Sequence, residues 1–459
     1  MTKGKSTGLI LRFSAPLVIG NLLQQLYSFI DAAIIGNFVG VNALAAVGCT
    51  SWVIWLLLAI GRDYSNAYCI AASVRIGADR LDEYKKIVAN SAMTGVLLSA
   101  CITAALTLNL DVILHLMNIP ANIYPDAKDY LMIYTLGMPL LIAFNTAAAM
   151  LRAAGNSSIS MYAMTASTIT NIVLDLVFVT VFHWGVKGAA VATLIAQGVA
   201  AGIAIAGLVG KEPYRTSRRH WRLDLPILKE VGKLWMPMFW NSLIISFGGL
   251  YTQKCVNALG SEFAAGIEAG SKIFSLMESV VMAIQAGTCI FVGQNLGAEQ
   301  YRRIRKGVSS IIFWATGITA VMIACVWLFG DRILDLFLSQ KDPAVYLIAA
   351  RTARRFVCTL TTSMLIMTPM YLYRATLQTL GHPNYAMIAG CLQVVARILT
   401  VELLPPLLGE YTYYLTDVSA WIVTLPTVLI PYLYYIRRLQ KREPEVSVNG
   451  SGIACERHV

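Results

Sequence analysis

The chain has 459 residues, of which 57% are hydrophobic and 13% are charged, and its net charge is +11. A soluble globular domain typically carries about 25% charged residues. The low charge content and the repeated long apolar runs argue against a soluble protein. Nucleic-acid binding is not expected either, because the basic residues are spread over alternate connections between apolar runs and form no single patch.

The apolar runs predict twelve transmembrane helices, since each span and its connection take roughly 35–40 residues. No cleavage site follows the first run, so we expect the first helix to be retained. The fold class is therefore an all-α polytopic membrane protein without a separate soluble domain. The predicted spans are 13–38, 45–73, 88–114, 128–151, 159–182, 188–209, 228–257, 263–293, 308–330, 345–377, 384–408 and 412–436.

The connections between the predicted spans alternate in charge. Basic residues concentrate at both termini and in the even-numbered connections. The sixth connection is the longest of these and carries Lys211, Arg215, Arg218, Arg219 and Arg222. Because Lys and Arg are enriched in cytoplasmic loops, this pattern predicts an even number of spans in the cell (cytoplasmic) membrane, with both termini cytoplasmic.

The two halves of the chain share sequence marks at an offset of 220 or 221 residues. The marks are Pro16 with Pro237, Gly40 with Gly260, and Gly77-Ala78 with Gly297-Ala298. Because each half has an even number of spans, six, both halves have the same orientation in the membrane. This predicts two six-helix lobes related by a parallel pseudo-two-fold repeat around a central cleft. The predicted domains are an N-terminal lobe 1–210, a basic cytoplasmic linker 211–227, a C-terminal lobe 228–438 and a disordered cytoplasmic tail 439–459.

Two carboxylates, Asp31 and Asp175, interrupt apolar spans of the first half. Asp31 shares a helical face with Tyr27 and Gln24, and Asn171 lies one turn before Asp175. A carboxylate in an apolar medium must be paired, hydrated or protonated. Two acids that approach each other there resolve their repulsion by sharing a proton or binding a cation. We therefore predict a cation-coupling site, with local capping of each acid as the alternative.

Other polar residues in the spans are weaker candidates, because neutral ones could bond only to their own helices. The candidates for lining a substrate cavity are Gln24, Tyr27, Tyr134, Asn145, Gln285 and Arg397. Arg397 is costly to bury. Glu402 could pair with it, although i, i+5 is a poor helical spacing. The second half has no clear acid pair, so we place the ion site in the first half.

Catalytic motifs do not occur in the sequence: there is no HExxH, GxSxG or P-loop. An enzyme is therefore not expected, and ATP is not the direct energy source. The five histidines are isolated, so we expect no cofactor and no metal beyond Na+ at the cation site. The nine cysteines show no CxxC spacing and are interpreted as small apolar helix residues.

At these residues the sequence resembles the multidrug and toxic compound extrusion (MATE) family, and its bacterial DinF-like branch most. The segments that carry the resemblance are Pro16, the run LYSFIDAAIIGNFVG around Asp31, LRAAGN at 151–156, Asn171 with Asp175, GAAVAT at 188–193 and GQNLGA at 293–298. The resemblance implies two lobes around a cleft and export of amphipathic, often cationic compounds by H+ or Na+ antiport.

The resemblance also implies site residues. In prokaryotic members that couple through the first lobe, a first-helix Asp, a fifth-helix Asn and Asp, and a sixth-helix Thr form the cation site. The matching positions here are Asp31, Asn171, Asp175 and Thr193. Pro16 resembles a first-helix proline proposed as a bend point, so it is the candidate hinge. NorM-type members carry acids in the seventh and tenth helices, for which we find no match here.

We therefore expect a monomeric secondary exporter whose partners are small amphipathic substrates, H+ or Na+, and the lipid bilayer. An alternative function is a flippase for lipid-linked precursors. A flippase would favour basic cavity residues that hold a pyrophosphate, and apart from Arg397 the spans offer few. A membrane-embedded enzyme would need a catalytic constellation, which we do not find.

Overall fold

The computed structural model of the chain describes residues 1–117, 119–210, 214–334 and 343–441. The first half forms α1 Ser6–Ile34, α2 Val41–Gly77, α3 Leu81–Leu108, α4 Leu110–Leu116, α5 Tyr124–Leu136, α6 Met138–Ala153, α7 Ser158–Asp175 and α8 Gly185–Val209. The second half forms α9 Leu225–Asn257, α10 Ser261–Gly297, α11 Tyr301–Leu334, α12 Pro343–Thr379, α13 Asn384–Leu403, α14 Pro405–Leu408 and α15 Tyr411–Gln440. Residues 211–213 of the predicted linker and 442–459 of the predicted tail lie outside the described residues.

The helices confirm an all-α polytopic fold. Within the described ranges, nine helices are long and apolar enough to cross a membrane, or up to eleven if each of two bent pairs is one span. The remaining long helix, α9, has 33 residues and can also span at about 1.5 Å per residue. It is more polar because Lys229, Glu230 and Lys233 lie in its first turns. All twelve predicted spans therefore coincide with helices.

Several predicted spans are not straight, and the second, predicted at 45–73, bends by 43° between Ala45–Ser51 and Val53–Gly77. The fourth, predicted at 128–151, bends by 43° between α5 and α6. Pro139 lies at the start of α6, where its missing N–H removes a backbone hydrogen bond and permits the bend. The third, predicted at 88–114, is interrupted at Asn109, after which the short helix α4 begins.

The two halves repeat each other in backbone conformation. α2 and α10 follow Gly40 and Gly260, whose φ angles are +121° and +104°, a region that favours glycine. α2 ends at Gly77 and α10 ends at Gly297, which are equivalent positions in the two halves. The acidic residue two positions later, Asp79 or Glu299, has φ +57° in each half. These equivalences confirm the parallel repeat.

The lobes meet through α1 and α2 on one side and α9 and α10 on the other. Their closest approach is where α2 and α10 end. A Cβ built on Gly77 would lie 1.9 Å from the carbonyl oxygen of Gln294, and one on Gly297 would be equally close to the first lobe's backbone. Arg75 binds Glu230 across the same seam. The lobes are therefore closed against each other at the end that carries the basic connections.

Candidate functional site

The two predicted coupling acids lie where α1 and α7 lose regular helical geometry. Asp175 is the last residue of α7, and Asp31 lies in the last turn of α1. The π-helical segments Ile35–Val39 and Leu176–Val181 continue these helices and pack against each other. This packing brings the ends of α1 and α7 together. π-helical turns often occur at functional sites.

The Asp31 and Asp175 carboxylates are near enough to repel each other electrostatically. The Asp175 side chain is fully buried. Neither of its oxygens, nor Oδ1 of Asp31, has a hydrogen-bond partner among the described residues. No basic side chain in the same ranges acts on either carboxylate. Uptake of a proton or a metal cation would relieve this repulsion.

Asn171 and Thr193 complete the predicted group. Nδ2 of Asn171 donates a hydrogen bond to Oγ1 of Thr193 at 3.3 Å, which ties α7 to α8. Both side chains are buried, and Oδ1 of Asn171 has no partner among the described residues. Since Asn171 lies one turn before Asp175, the four predicted residues come together from three helices. Carboxylate, amide and hydroxyl oxygens are the ligands that hard cations prefer.

Tyrosine side chains surround the acid pair. Both carboxylates act electrostatically on Tyr27 of α1 and Tyr130 of α5. Tyr134 lies beside Tyr27 and interacts with Gln197, and a small pocket next to them is lined by Tyr134, Thr193 and Gln197. Tyr130 and Gln197 were not among the residues predicted from the sequence. The signal for Tyr130 was its position one turn before Tyr134.

Three other predicted cavity residues are not joined to the acid pair by any described contact. Gln24 is exposed. Nδ2 of Asn145 donates to the carbonyl oxygen of Leu141 in its own helix at 2.9 Å. Oε1 of Gln285 is buried with no partner among the described residues. Pro16 lies inside α1, which runs unbroken past it.

Arg397 pairs with a different acid from the one considered in the sequence analysis. Its Nη2 lies 2.5 Å from Oδ1 of Asp417 in α15. Glu402 instead accepts a hydrogen bond from the Tyr251 hydroxyl. The pairing with Glu402 was wrong because an i, i+5 spacing directs two side chains to different sides of a helix, and Asp417 is presented by the neighbouring α15.

Asp63 is a third acid within the spans of the first half, and it was not predicted from the sequence. Ser242 of the second lobe donates a hydrogen bond to Oδ2 of Asp63 at 2.5 Å, so this contact joins α2 to α9. In the second lobe, the Tyr371 hydroxyl donates to Oε1 of Glu278 at 2.9 Å. The signal for Asp63 was the charged dipeptide with Arg62 inside the apolar run 45–73.

Twelve membrane helices in two repeated lobes, with a pair of acids inside one of them, define a polytopic membrane transporter. The MatE family model matches residues 16–177 and 237–401, once in each half, and the matches begin at Pro16 and Pro237. The chain belongs to this family, the MATE transporters. It is thus a multi-pass membrane transporter of the multidrug-efflux class and not an enzyme.

Two bacterial proteins of known class are similar to the chain. The probable multidrug resistance protein YpnP of Bacillus subtilis is 28% identical over 350 residues, which cover 75% of this chain and 77% of that protein. The multidrug export protein MepA of Staphylococcus saprophyticus is 25% identical over 427 residues, 92% of this chain and 93% of that one. A crystal structure of a MATE protein in complex with MaL6 superposes with a TM-score of 0.89 at 22% identity, covering 96% of this chain and 98% of that chain.

Proposed function

We propose that the protein is a cation-coupled antiporter that exchanges H+ or Na+ for amphipathic, cationic compounds and exports them from the cytoplasm. The observation that carries the proposal is the pair of Asp31 and Asp175, in which Asp175 and Oδ1 of Asp31 are buried and which has no basic partner within the described ranges. The names of YpnP and MepA, a resistance and an export protein, support drugs as the substrate class.

Four other acids in the membrane helices support this choice of site, because another side chain contacts each of them. The contacts are Asp63 with Ser242, Glu278 with Tyr371, Asp417 with Arg397, and Glu402 with Tyr251. Binding of a cation would therefore relieve more electrostatic repulsion at Asp31 and Asp175 than at any of these four acids. A coupling ion shifts a conformational equilibrium only by its differential affinity for the two states. Repacking of the two π-helical segments beside the acids would supply such a difference.

The proposal includes the arrangement of the chain in the membrane. Residues 1–210 and 228–438 form the two lobes, 211–227 form a cytoplasmic linker, and 439–459 form a disordered cytoplasmic tail. Both termini are cytoplasmic, which the basic connections at the closed end of the bundle support. The protein acts as a monomer, and Pro16 supplies the bend point of α1.

The test is transport of tetramethylrhodamine methyl ester, a cationic dye, into or out of proteoliposomes under an imposed pH or sodium gradient. The gradient that drives dye movement identifies the coupling ion. Asp31→Asn and Asp175→Asn should each abolish gradient-driven dye movement. Each variant leaves one carboxylate, which cannot share a proton or a cation with a second one. Asp126→Asn, in the first turn of α5, is the matched control and should transport normally. Unchanged transport by Asp31→Asn would remove the proposal.

A further inference from the structure

Arg62 is an unusual residue for the middle of a membrane protein. It lies in α2, about 22 Å from the end of that helix at Gly77. An arginine at this depth is costly unless an acid pairs with it or it faces a water-filled cavity. Its nearest carboxylate oxygen in the described chain is Oδ1 of the adjacent Asp63, 3.9 Å from its Nε, and its side chain is 42% exposed.

A second arginine reaches the same region from the opposite lobe. The guanidinium carbon of Arg374 in α12 lies 4.6 Å from the centre of the Tyr371 ring. Arg62 and Arg374 both act electrostatically on Asp63 and on Glu278. Because Asp63 belongs to the first lobe and bonds to Ser242 of the second, and Glu278 belongs to the second, the two guanidinium groups lie near the junction of the lobes.

Hydroxyl groups, and not guanidinium groups, make the close contacts with these two acids. Arg397 provides the contrast, since it lies 2.5 Å from Asp417 and its side chain is only 15% exposed. Among the described residues, no carboxylate makes such a contact with Arg62 or Arg374. Most of their N–H donors therefore remain available to a molecule in the cleft.

We propose that Arg62 and Arg374 form a binding site for an oxyanion, a carboxylate or a phosphate, carried by an amphipathic molecule in the cleft. The planar guanidinium fork binds such groups through two parallel charge-assisted hydrogen bonds. One arginine comes from each lobe, so a bound oxyanion bridges the two lobes. The inference takes from the proposed function only that substrates enter this cleft, and it extends the substrate class to zwitterions.

The test compares tetramethylrhodamine with its methyl ester, which share a cationic ring system and differ in one free carboxylate. Fluorescence polarisation measures their equilibrium binding to the full-length protein in detergent micelles. We expect the acid to bind about tenfold more tightly than the ester, the gain of one good charge-assisted contact. Arg62→Gln should abolish this preference, so that the acid and the ester bind with equal affinity. Arg80→Gln, at the exposed start of α3, should retain the preference.

Equal binding of the acid and the ester by the wild-type protein would overturn the inference, as would an intact preference in Arg62→Gln. Arg374→Gln, in the other lobe, should also abolish the preference for the acid. It replaces Arg62→Gln in the test if that variant does not fold. Displacement of the acid by dioctanoyl phosphatidylglycerol would support the site and identify lipid phosphate as an occupant. If the lipid does not displace tetramethylrhodamine, the site is assigned to a substrate carboxylate. The measurement needs no ion gradient, so failure of coupling and failure of this site are separate results.

Discussion

At the scale of single residues, the hydrogen bond from Asn171 to Thr193 fixes the amide beside the acid pair. Its Oδ1 is then held ready to coordinate a cation. We expect Thr193→Val, which keeps the shape and removes the acceptor, to weaken the apparent affinity for the coupling ion by about tenfold or more, as is typical when a group that orients a ligand is lost. Thr193→Ser should behave like the wild type. Initial transport rates against ion concentration measure this, and equal affinities in the two variants would contradict it.

The sequence shows which acids lie within apolar spans, but it does not show which side chains contact them. Asp31 and Asp175 were predictable because a carboxylate stands out in an apolar run. The role of Asp63 was not, because Ser242 lies 179 positions further along the chain and only tertiary folding brings them together. The partner of Arg397 was unpredictable for the same reason, since α13 offers one acid and the packing of α15 supplies another.

At the scale of elements, the crossing of α2 and α10 depends on glycine. A Cβ on Gly77 would lie 1.9 Å from the carbonyl oxygen of Gln294, so the helices must move apart to accommodate alanine. We expect Gly77→Ala to lower the free energy of unfolding by about 1–3 kcal/mol, the usual cost of overpacking. Gly48→Ala in the same helix meets no heavy atom within 4 Å and should be neutral or stabilising. Thermal melting in detergent compares the two, and equal melting temperatures would count against this view of the seam.

Hydropathy located the helices but not their irregularities. An average over about 20 residues places a span, yet it cannot show that the span bends at Pro139 or breaks at Asn109. The π-helical segments were invisible for a related reason. They depend on i to i+5 backbone bonds, such as that from the Gly40 N–H to the Ile35 carbonyl oxygen, and these depend on how α1 and α7 pack together.

At the scale of the whole molecule, the ion pair of Arg75 and Glu230 joins the lobes at their closed end. Arg75 of α2 contacts both carboxylate oxygens of Glu230 in α9, at 2.6 and 2.5 Å, and its Nε lies 3.2 Å from Glu83. A transporter that alternates its access must separate Arg75 from Glu230 whenever this end opens. The pair therefore contributes directly to the balance between the two states.

Reversing one charge should shift that balance. In Arg75→Glu, repulsion from Glu230 replaces a charged contact of about 1.5–3 kcal/mol. The ratio of closed to open molecules should then fall by about tenfold or more. Adding Glu230→Arg should restore closure. Double electron–electron resonance between spin labels at Ser158 and Asn384, the first residues of α7 and α13, measures the distance between the lobes. The labels are attached in a variant without the native cysteines.

The matched control is Arg80→Glu, which disrupts an exposed pair within one lobe, Arg80 with Glu83 at 3.4 Å. Exposed pairs of this kind contribute about 0–1 kcal/mol, and this one does not cross the seam, so the label distances should not change. If Arg75→Glu also left the distances unchanged, the ion pair would not hold the lobes together. If the double variant stayed open, the effect of Arg75→Glu would be damage to α2 and not the loss of an attraction between the lobes. Restoration by the double variant is the result that only a direct charge contact across the seam can produce.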